Sequence, residues 1–392
     1  MSKTFKVANV ISSFNSQSGG PPGTVSLIAE AGRGHWLADL ITTDYRQSPS
    51  DTLLVADFPG QVNMLPASAN STIGGLVMLA GLGRGHRDQL LRALQPDVVH
   101  IHGIWSPFVA AFALTALRQR IPYIISPHGM LEPWSLTIRS MRKSLALRSY
   151  QGHVLRRAAA LHATSEMEAG NLRRMNGADV PIIVIPNPVA EPTGAWGGPE
   201  PPAGEKRVLL FLSRIHEKKG LDILLRAWNE TRPAAWRLLI VGSGEEEYVA
   251  SLKRYCVDHE VPDVEFESHV DGERREEVFR SASAFILPSY SENFGNVVVE
   301  ALIRGLPIIT TTGTPWSSIV EQACGWFIAP TLDELKAVLV KATSADAHTL
   351  KQMGKRGRAY ADANFTLPAV RHALLEMYRA AIETRTMRRD AT

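Results

Sequence analysis

Short apolar, β-branched runs alternate with longer segments of helical period along the whole chain, and this alternation narrows the fold more than any other feature. Twelve runs read as strands: Lys6–Ile11, Trp36–Thr42, Asp97–Ile101, Tyr123–Ser126, Ala159–Ala163, Ile182–Ile185, Arg207–Leu212, Arg237–Val241, Val264–Glu267, Ala284–Leu287, Pro307–Thr310 and Gly325–Ile328. Near-continuous apolar strands separated by helices belong to parallel sheets covered on both faces. Between Ile185 and Val208 the composition changes to six prolines and four glycines, a semi-rigid linker that divides the strands six and six. At 392 residues the chain also exceeds one compact core. The expectation is an α/β protein of two doubly wound domains facing a central cleft: residues 1–190, a linker at 191–206, and residues 207–367. Residues 368–392 read as a long helix returning to the first domain. Ligands of such sheets sit beyond the carboxyl ends of the strands.

Charge and cysteine content exclude several classes. The chain has 42 basic and 39 acidic side chains, too balanced for a nucleic-acid binder held by phosphate contacts. Cys256 and Cys324 make neither a disulfide framework nor a cysteine-rich metal site, which points to a reducing, cytoplasmic setting. Val7–Ile11 runs into a polar Ser/Asn/Gly stretch and reads as a first strand, not a signal peptide. The longest apolar candidate, Ile104–Leu117, is too short for a membrane span.

The densest chemistry lies in Leu287-Pro-Ser-Tyr-Ser-Glu-Asn-Phe-Gly-Asn-Val-Val-Val-Glu-Ala-Leu302. A strand ends at Leu287, a polar turn follows, and a helix is expected from near Phe294, so its free backbone amides form an anion site. Glu292 precedes that helix and Glu300 lies within its apolar run. A buried carboxylate is costly unless paired or engaged by a ligand; the alternative is a partly exposed helix charge at Glu300 and a dipole partner at Glu292. In Val208-Leu-Leu-Phe-Leu-Ser-Arg-Ile-His-Glu-Lys-Lys-Gly-Leu-Asp222, Arg214 and Lys219 follow a strand, where they either bind a diphosphate or form a solvated basic turn. Val241-Gly-Ser-Gly-Glu245 is a further strand-to-helix turn; Gly242 fits either a ligand contact or plain turn geometry.

In the first half, Ser18-Gly-Gly-Pro-Pro-Gly23 follows the first strand and opens a helix expected at Thr24. Gly19 and Gly20 allow close approach of a phosphate or sugar, but no Walker lysine is present. His128 follows the strand ending at Ser126, and His100 and His102 end the preceding strand. Three histidines invite a zinc reading, yet their spacing matches no metal motif, so no metal is expected. His128 reads as a partner for a sugar hydroxyl or a developing charge, and His100 as a packed strand residue.

Taken together, Ser-Arg-Ile-His-Glu-Lys-Lys-Gly-Leu-Asp, Val-Gly-Ser-Gly, Pro-Ser-Tyr-Ser-Glu-Asn-Phe-Gly-Asn-Val-Val-Val-Glu-Ala-Leu and Gly-Thr-Pro-Trp resemble the retaining glycosyltransferases of family 4, in that family's order and spacing. The chain is thereby similar to bacterial glycosyltransferases of polysaccharide assembly. The resemblance implies a GT-B fold of two Rossmann-like domains, with the acceptor mainly on the first and a nucleotide-sugar donor mainly on the second. It implies that Glu292 contacts the transferred sugar, that Glu300 holds the nucleotide ribose, and that Arg214 and Lys219 neutralise the diphosphate. The backbone of Asn293, Phe294 and Gly295 completes the donor cradle, Gly19 and Gly20 lie near the donor phosphates, and His128 contacts the donor sugar. Two departures are Asn293, where the family often has glycine, and Phe365-Thr-Leu-Pro near the C-terminus.

The implied mechanism follows from charge. Cleaving the anomeric bond leaves a diphosphate, which Arg214, Lys219 and the helix N-terminus stabilise. Neither a metal nor another cofactor is then required, and the sequence has no Asp-x-Asp diphosphate clamp. Retention by a carboxylate nucleophile is one route; the resemblance favours same-face attack with the leaving phosphate taking the acceptor proton. Residues 1–195 hold 17 Lys/Arg against 12 Asp/Glu, and residues 196–392 hold 25 against 27. Ile138–Ala160 concentrates the excess in Arg139, Arg142, Lys143, Arg148, Arg156 and Arg157, interleaved with Met141, Leu145, Leu147, Val154 and Leu155. This pattern suits an anionic membrane surface, peripheral on the cytoplasmic face of the inner membrane, or a helix packed on its own domain. With a membrane, the acceptor is a lipid-linked saccharide in exopolysaccharide or lipopolysaccharide synthesis. The competing readings are an epimerase or hydrolase on the same fold, a glycan phosphorylase, and a non-catalytic sugar-nucleotide-binding subunit. Donor and acceptor specificity is expected to depend on the pocket near Ser268–Val270 and on loops such as Gln61–Arg84.

Overall fold

A computed structural model of the chain describes residues 4–15, 19–46, 51–79, 81, 84–137, 140–175, 180–192 and 205–390. Ser18, Ile138, Arg139, most of the linker (193–204) and the last two residues, all singled out above, lie outside the described residues. The chain divides into two compact units, residues 1–188 with 367–392, and residues 189–366.

The first unit is built on seven parallel strands: β1 (Phe5–Ile11), β2 (Trp36–Thr43), β3 (Gln61–Leu65), β4 (Val98–His102), β5 (Tyr123–Ser126), β6 (Ala160–Ala163) and β7 (Ile182–Val184), in the order β3-β2-β1-β4-β5-β6-β7. Val7 pairs with Ala38 on one side and Val98 on the other. One face of the sheet is covered by helix Pro107–Arg118 through Phe108, Phe112 and Ala116, the other by helix Gly20–Ala31 and the terminal helix Leu367–Asp390. Burial on both faces accounts for strands that read as unbroken apolar runs. The terminal helix is tied down by Val370, Leu374 and Tyr378, whose ring meets Trp36 edge-on at 5.3 Å, and by a 2.7 Å bond from Arg371 Nε to the Ala31 carbonyl.

The expected six-strand first sheet is corrected to seven. Gln61–Arg84, read as a loop, holds β3 and helix Thr72–Leu79 and ends where helix Arg84–Leu94 begins. β3 is an edge strand in which Gln61 and Asn63 alternate with Val62 and Met64, so only its pairing with β2 distinguishes it from a polar turn. Its approach is possible because Gly60 precedes it; a Cβ there would lie 1.8 Å from the Ala38 carbonyl oxygen. The helix expected at Thr24 begins at Gly20. Pro21 and Pro22 occupy its first turn, where a missing N–H is tolerated.

The second unit carries six parallel strands, β8 (Arg207–Leu212), β9 (Trp236–Val241), β10 (Val264–Glu267), β11 (Ala284–Leu287), β12 (Ile308–Thr311) and β13 (Gly325–Ile328), in the order β10-β9-β8-β11-β12-β13. Its core gathers Phe211, Leu224, Trp228, Ile240, Phe285 and Ile309. Each sheet reverses its strand order once, between β1 and β4 in the first and between β8 and β11 in the second. Ligands of doubly wound sheets occupy the crevice outside the carboxyl ends of the strands at such a reversal.

Candidate active site

The two richest motifs of the second half fall on the two sides of its reversal point. The turn after β8 carries Arg214 and Lys219, and the turn after β11 carries Glu292. They are stitched together by backbone. Tyr290 N–H donates to the Lys218 carbonyl at 2.8 Å, and Gly220, at φ 68°, lies where a Cβ would come within 2.2 Å of the Pro288 carbonyl oxygen. Glu292 N–H in turn donates to the Gly313 carbonyl at 2.7 Å. The result is a direct ion pair between the Lys219 ammonium and Glu292 Oε2, with Ser289 Oγ donating to the same oxygen at 3.4 Å.

This pair is buried, with Lys219 only 5% exposed, so the solvated-turn alternative does not describe it. Arg214, by contrast, is exposed. Burial would raise the Glu292 carboxyl, but the charges of Lys219, Lys218 and Arg214 outweigh it and hold the group below the ordinary carboxylate range. Burial lowers Lys219, with Lys218 and Arg214 adding to the effect and Glu292 opposing it.

Helix Asn296–Ile303 starts two residues later than Phe294, capped by Gly295 at φ 75°. A Cβ on Gly295 would sit 3.1 Å from Glu292 Cγ, so the positive end of the helix dipole lies against the Glu292 side chain. Phe294 is buried against Trp316, whose indole N–H donates to the Phe294 carbonyl at 2.5 Å, and Phe365 packs on both rings. Asn293 lies between Glu292 and this anchor. Gly242 is required by the protein's own backbone: its Cβ would meet the Ser213 carbonyl oxygen at 1.9 Å. Its place at the end of β9 keeps the adjoining turn within the same strand-end layer.

Glu300 stands apart from Glu292. It is half-buried and paired with Arg275, whose guanidinium lies 5.5 Å from the Phe279 ring centre, while Arg304 Nη1 donates to the Glu300 carbonyl at 2.9 Å. Arg304 itself clasps Glu276, and its guanidinium lies 4.5 Å from the Phe279 ring centre. Sequence reading did not foresee Arg275, because its contact with Glu300 crosses between two helices.

In the first unit Gly19, at φ 79°, caps the helix after β1. Since Pro21 and Pro22 lack an N–H, the free amides at this helix start reduce to those of Gly19 and Gly20. His102 ends β4, and His128, at φ 52°, follows β5; Nε2 of His128 lies 3.2 Å from Nδ1 of His102. His100 is buried between Tyr378 and Ser126, bonded at 2.9 and 2.7 Å. Among the described residues no group of histidine, cysteine and carboxylate side chains is placed to hold a metal ion. Glu168 was missed: it is buried and accepts from Gly129 N–H at 2.7 Å and from both Thr164 N–H and Oγ, fixing the turn that carries His128. Its signal was legible as a capping box, Ser165-Glu-Met-Glu168, which gives no hint that the carboxylate reaches the turn after β5.

Two doubly wound parallel sheets, each with its motifs at the strand-end reversal, are those of the GT-B fold. The family model "Glycosyl transferase 4-like domain" matches residues 19–188 and "Glycosyl transferases group 1" matches residues 206–344, together more than three-quarters of the chain. The chain belongs to this glycosyltransferase family. It is 28% identical over 309 residues to the D-inositol 3-phosphate glycosyltransferase 2 of Catenulispora acidiphila, covering 73% of this chain and 71% of that protein. Among solved structures it is similar to a sucrose-phosphate synthase from Thermosynechococcus elongatus, with a TM-score of 0.75, 18% identity and coverage of 97% of this chain and 100% of the other. It is also similar to Anabaena HepE in complex with UDP-glucose, with a TM-score of 0.74, 19% identity and coverage of 96% and 100%.

Proposed function

We propose that this chain transfers a sugar, with retention of anomeric configuration and without a metal ion, from a nucleoside diphosphate sugar to a lipid-linked saccharide during cell-surface polysaccharide synthesis. The observation that carries the reading is the buried Lys219–Glu292 pair where the turns after β8 and β11 meet, beside a helix N-terminus. Positive charge is concentrated where a diphosphate would leave, and a carboxylate is held ionised next to it.

In this reading Arg214 and Lys219 take the diphosphate, the backbone of Asn293, Phe294 and Gly295 supports it, Gly242 belongs to the same donor edge, and Glu300 accepts from the ribose. Gly19, Gly20 and His128 are further donor contacts by family resemblance, and HepE, solved with UDP-glucose, supports a nucleotide sugar as donor. As the anomeric C–O bond breaks, its electron pair goes to the diphosphate, whose growing charge the two cations stabilise. The acceptor hydroxyl attacks from the face the diphosphate leaves, and its proton passes to the departing phosphate oxygen. Glu292, already engaged by Lys219, steadies the positive sugar and forms no bond to it. No metal or other cofactor has a role in this scheme, since side chains supply the charge.

The acceptor reading rests on the basic segment. From Ser140 to Arg156 the chain runs as helix, π-turn and helix. Val154 and Leu155 pack on the first unit's core, which satisfies part of the packed-helix alternative. Met141 and Leu145, however, are 86% and 69% exposed, one helical turn apart, with Arg142 and Arg148 exposed nearby. Lys143 is turned inward, bonded to Ser135 and lying 5.6 Å from the Trp105 ring centre. The Met141–Leu145 face supports peripheral attachment to an anionic membrane surface. No helix among the described residues is long and apolar enough to cross a membrane. The name of the Catenulispora relative supports a second reading of the acceptor, a phosphorylated polyol, which the basic first half would also attract.

The test is purified full-length protein given a panel of nucleoside diphosphate sugars, with a lipid-linked saccharide extract or inositol phosphate as acceptor. Turnover with the lipid extract, unchanged by EDTA, lost in Glu292→Ala and giving a retained anomer, is expected. A covalent glycosyl–Glu292 adduct would overturn same-face attack, and tight donor binding without transfer would favour a binding subunit.

A further inference from the structure

Asn9 within β1 and His102 at the end of β4 form a one-way hydrogen-bond chain to His128, and the proposed reaction gives neither of the first two a role. Asn9 Nδ2 donates to the Asp39 carbonyl at 3.3 Å, which turns Asn9 Oδ1 toward His102. An amide oxygen can only accept, so His102 Nε2, 3.1 Å away, carries a proton. Burial, with the neighbouring His100, His128 and His162, holds His102 well below the usual imidazole range, so the ring is neutral and its Nδ1 is a lone pair. That lone pair faces His128 Nε2, which must therefore be the donor. Burial keeps His128 neutral as well, so the one remaining ring nitrogen, Nδ1, is an acceptor, and no bond to it is made by the described residues. The two rings lie nearly parallel at 17°, and Glu168 pins the adjoining Gly129 amide, so ring and backbone are both fixed.

A second histidine chain shows the contrast. Tyr378 O–H donates to His100 Nδ1, His100 Nε2–H to Ser126 Oγ, Ser126 O–H to His162 Nδ1, and His162 Nε2–H to the Ile185 carbonyl. Both ends of that chain are closed by protein groups. Of these two chains, the Asn9–His102–His128 chain is the one that ends on an acceptor left open by the described residues.

We propose that Asn9 and His102 are positioning residues that hold His128 as its Nε2–H tautomer, so that His128 Nδ1 accepts a hydrogen bond from a hydroxyl of the transferred sugar. A lone pair there welcomes a hydroxyl and repels a phosphate oxygen, so the chain selects for the polyol part of the donor. The proposal rests on the glycosyltransferase reading above and sharpens it by giving His128 one chemical role.

The tautomer is read without substrate, from two-bond proton–nitrogen correlation spectra of full-length protein labelled with 15N-histidine. Wild type is expected to show Nε2–H at both His102 and His128. Asn9→Asp places a carboxylate on His102, which stabilises its imidazolium; His102 then donates from both nitrogens and His128 is forced to Nδ1–H. In that variant kcat/KM for UDP-glucose or GDP-mannose, whichever the wild type turns over, should fall at least about tenfold, while affinity for the free nucleoside diphosphate stays within about twofold. His102→Gln offers a carbonyl to His128 Nε2–H and should keep both tautomer and turnover, whereas His102→Phe should lose both. An Nδ1–H signal at His128 in wild type, or a flipped tautomer with undiminished kcat/KM, overturns the proposal. Failure of wild type to bind any nucleoside diphosphate sugar would instead remove the glycosyltransferase reading, and the sugar hydroxyl with it, leaving the spectra to judge the tautomer by themselves.

Discussion

Lys219, on the turn after β8, donates to the carboxylate of Glu292, 73 residues later on the turn after β11, and both side chains are almost wholly shielded from water. Removing one partner of a buried pair strands the other's charge, at a cost of about 3–5 kcal/mol. Lys219→Met and Glu292→Gln should each lower unfolding stability by an amount in that range, and the double variant should regain most of it. All three should lose transfer. Urea unfolding would show the compensation; a double variant no more stable than the worse single one would mean that the pair is not coupled.

Gly220 makes that pairing possible. At φ 68°, with the Pro288 carbonyl oxygen only 2.2 Å from a would-be Cβ, alanine must either strain its backbone or push the two turns apart. Gly220→Ala should cost about 1–3 kcal/mol in stability from the backbone alone. It should also weaken binding of the nucleoside diphosphate. Calorimetric titration beside a melting curve separates the effects, and unchanged affinity would show that Lys219 needs no such anchoring.

Arg275 decides what Glu300 can do. Its guanidinium shares the carboxylate that the proposed function gives to the ribose, so it orients Glu300. Arg275→Gln should raise the Kd for a nucleoside diphosphate about tenfold, consistent with losing a charged hydrogen bond. The penalty should vanish for the 2′,3′-dideoxy analogue, which has no hydroxyls for Glu300; an equal penalty for both would place the ribose elsewhere.

Much of this arrangement was legible because parallel strands buried on both faces cannot hide their apolar runs, and because β8 and β11 each end in a motif dense with charge. β3 was not legible: Gln61 and Asn63 make it look like a turn, and only pairing with β2 reveals it. The chemistry of individual charges was less readable still. Arg214 and Lys219 look equivalent in sequence, yet one is exposed and the other buried on Glu292, a contact set by strand order. The partners of Glu300, His128 and Glu168 come from other elements for the same reason, and no local spacing announces them.

Acid should destabilise the protein well before its carboxylates protonate. His100, His102 and His162 are buried and His128 is half-buried, and all four are held below the ordinary value of 6.5, with His162 pushed down to about 4 and His128 to about 3. Below pH 6.5 the unfolded chain therefore binds more protons than the folded one, and stability falls as pH falls, by up to about 1.4 kcal/mol per pH unit for each histidine. Glu292 contributes in a lower window: its depressed folded value gives stability that is present above its ordinary 4.5 and lost as pH drops through the folded value. Urea midpoints should hold nearly level from pH 7.5 to about pH 6.5 and decline from there to pH 5, and His162→Gln should flatten that slope by one histidine's share. A level midpoint across that range would mean the imidazoles take up protons without unfolding.

The membrane proposal can be tested apart from the fold, since Met141 and Leu145 are largely exposed. Met141→Ser with Leu145→Ser should change unfolding stability by no more than about 0.5 kcal/mol, as expected of surface substitutions. Binding to vesicles containing anionic lipid should nevertheless drop. Apolar insertion and charge attraction act on the same helix but respond to different variables. Arg142→Ser with Arg148→Ser should therefore weaken binding mainly at low salt, where the Debye length is long, while the Met141/Leu145 variant should weaken it at every salt concentration. Sedimentation with anionic and with neutral vesicles distinguishes the outcomes. Wild-type protein that pellets equally with both, or with neither, would remove the membrane from the proposal and leave the soluble phosphorylated polyol as the acceptor to pursue.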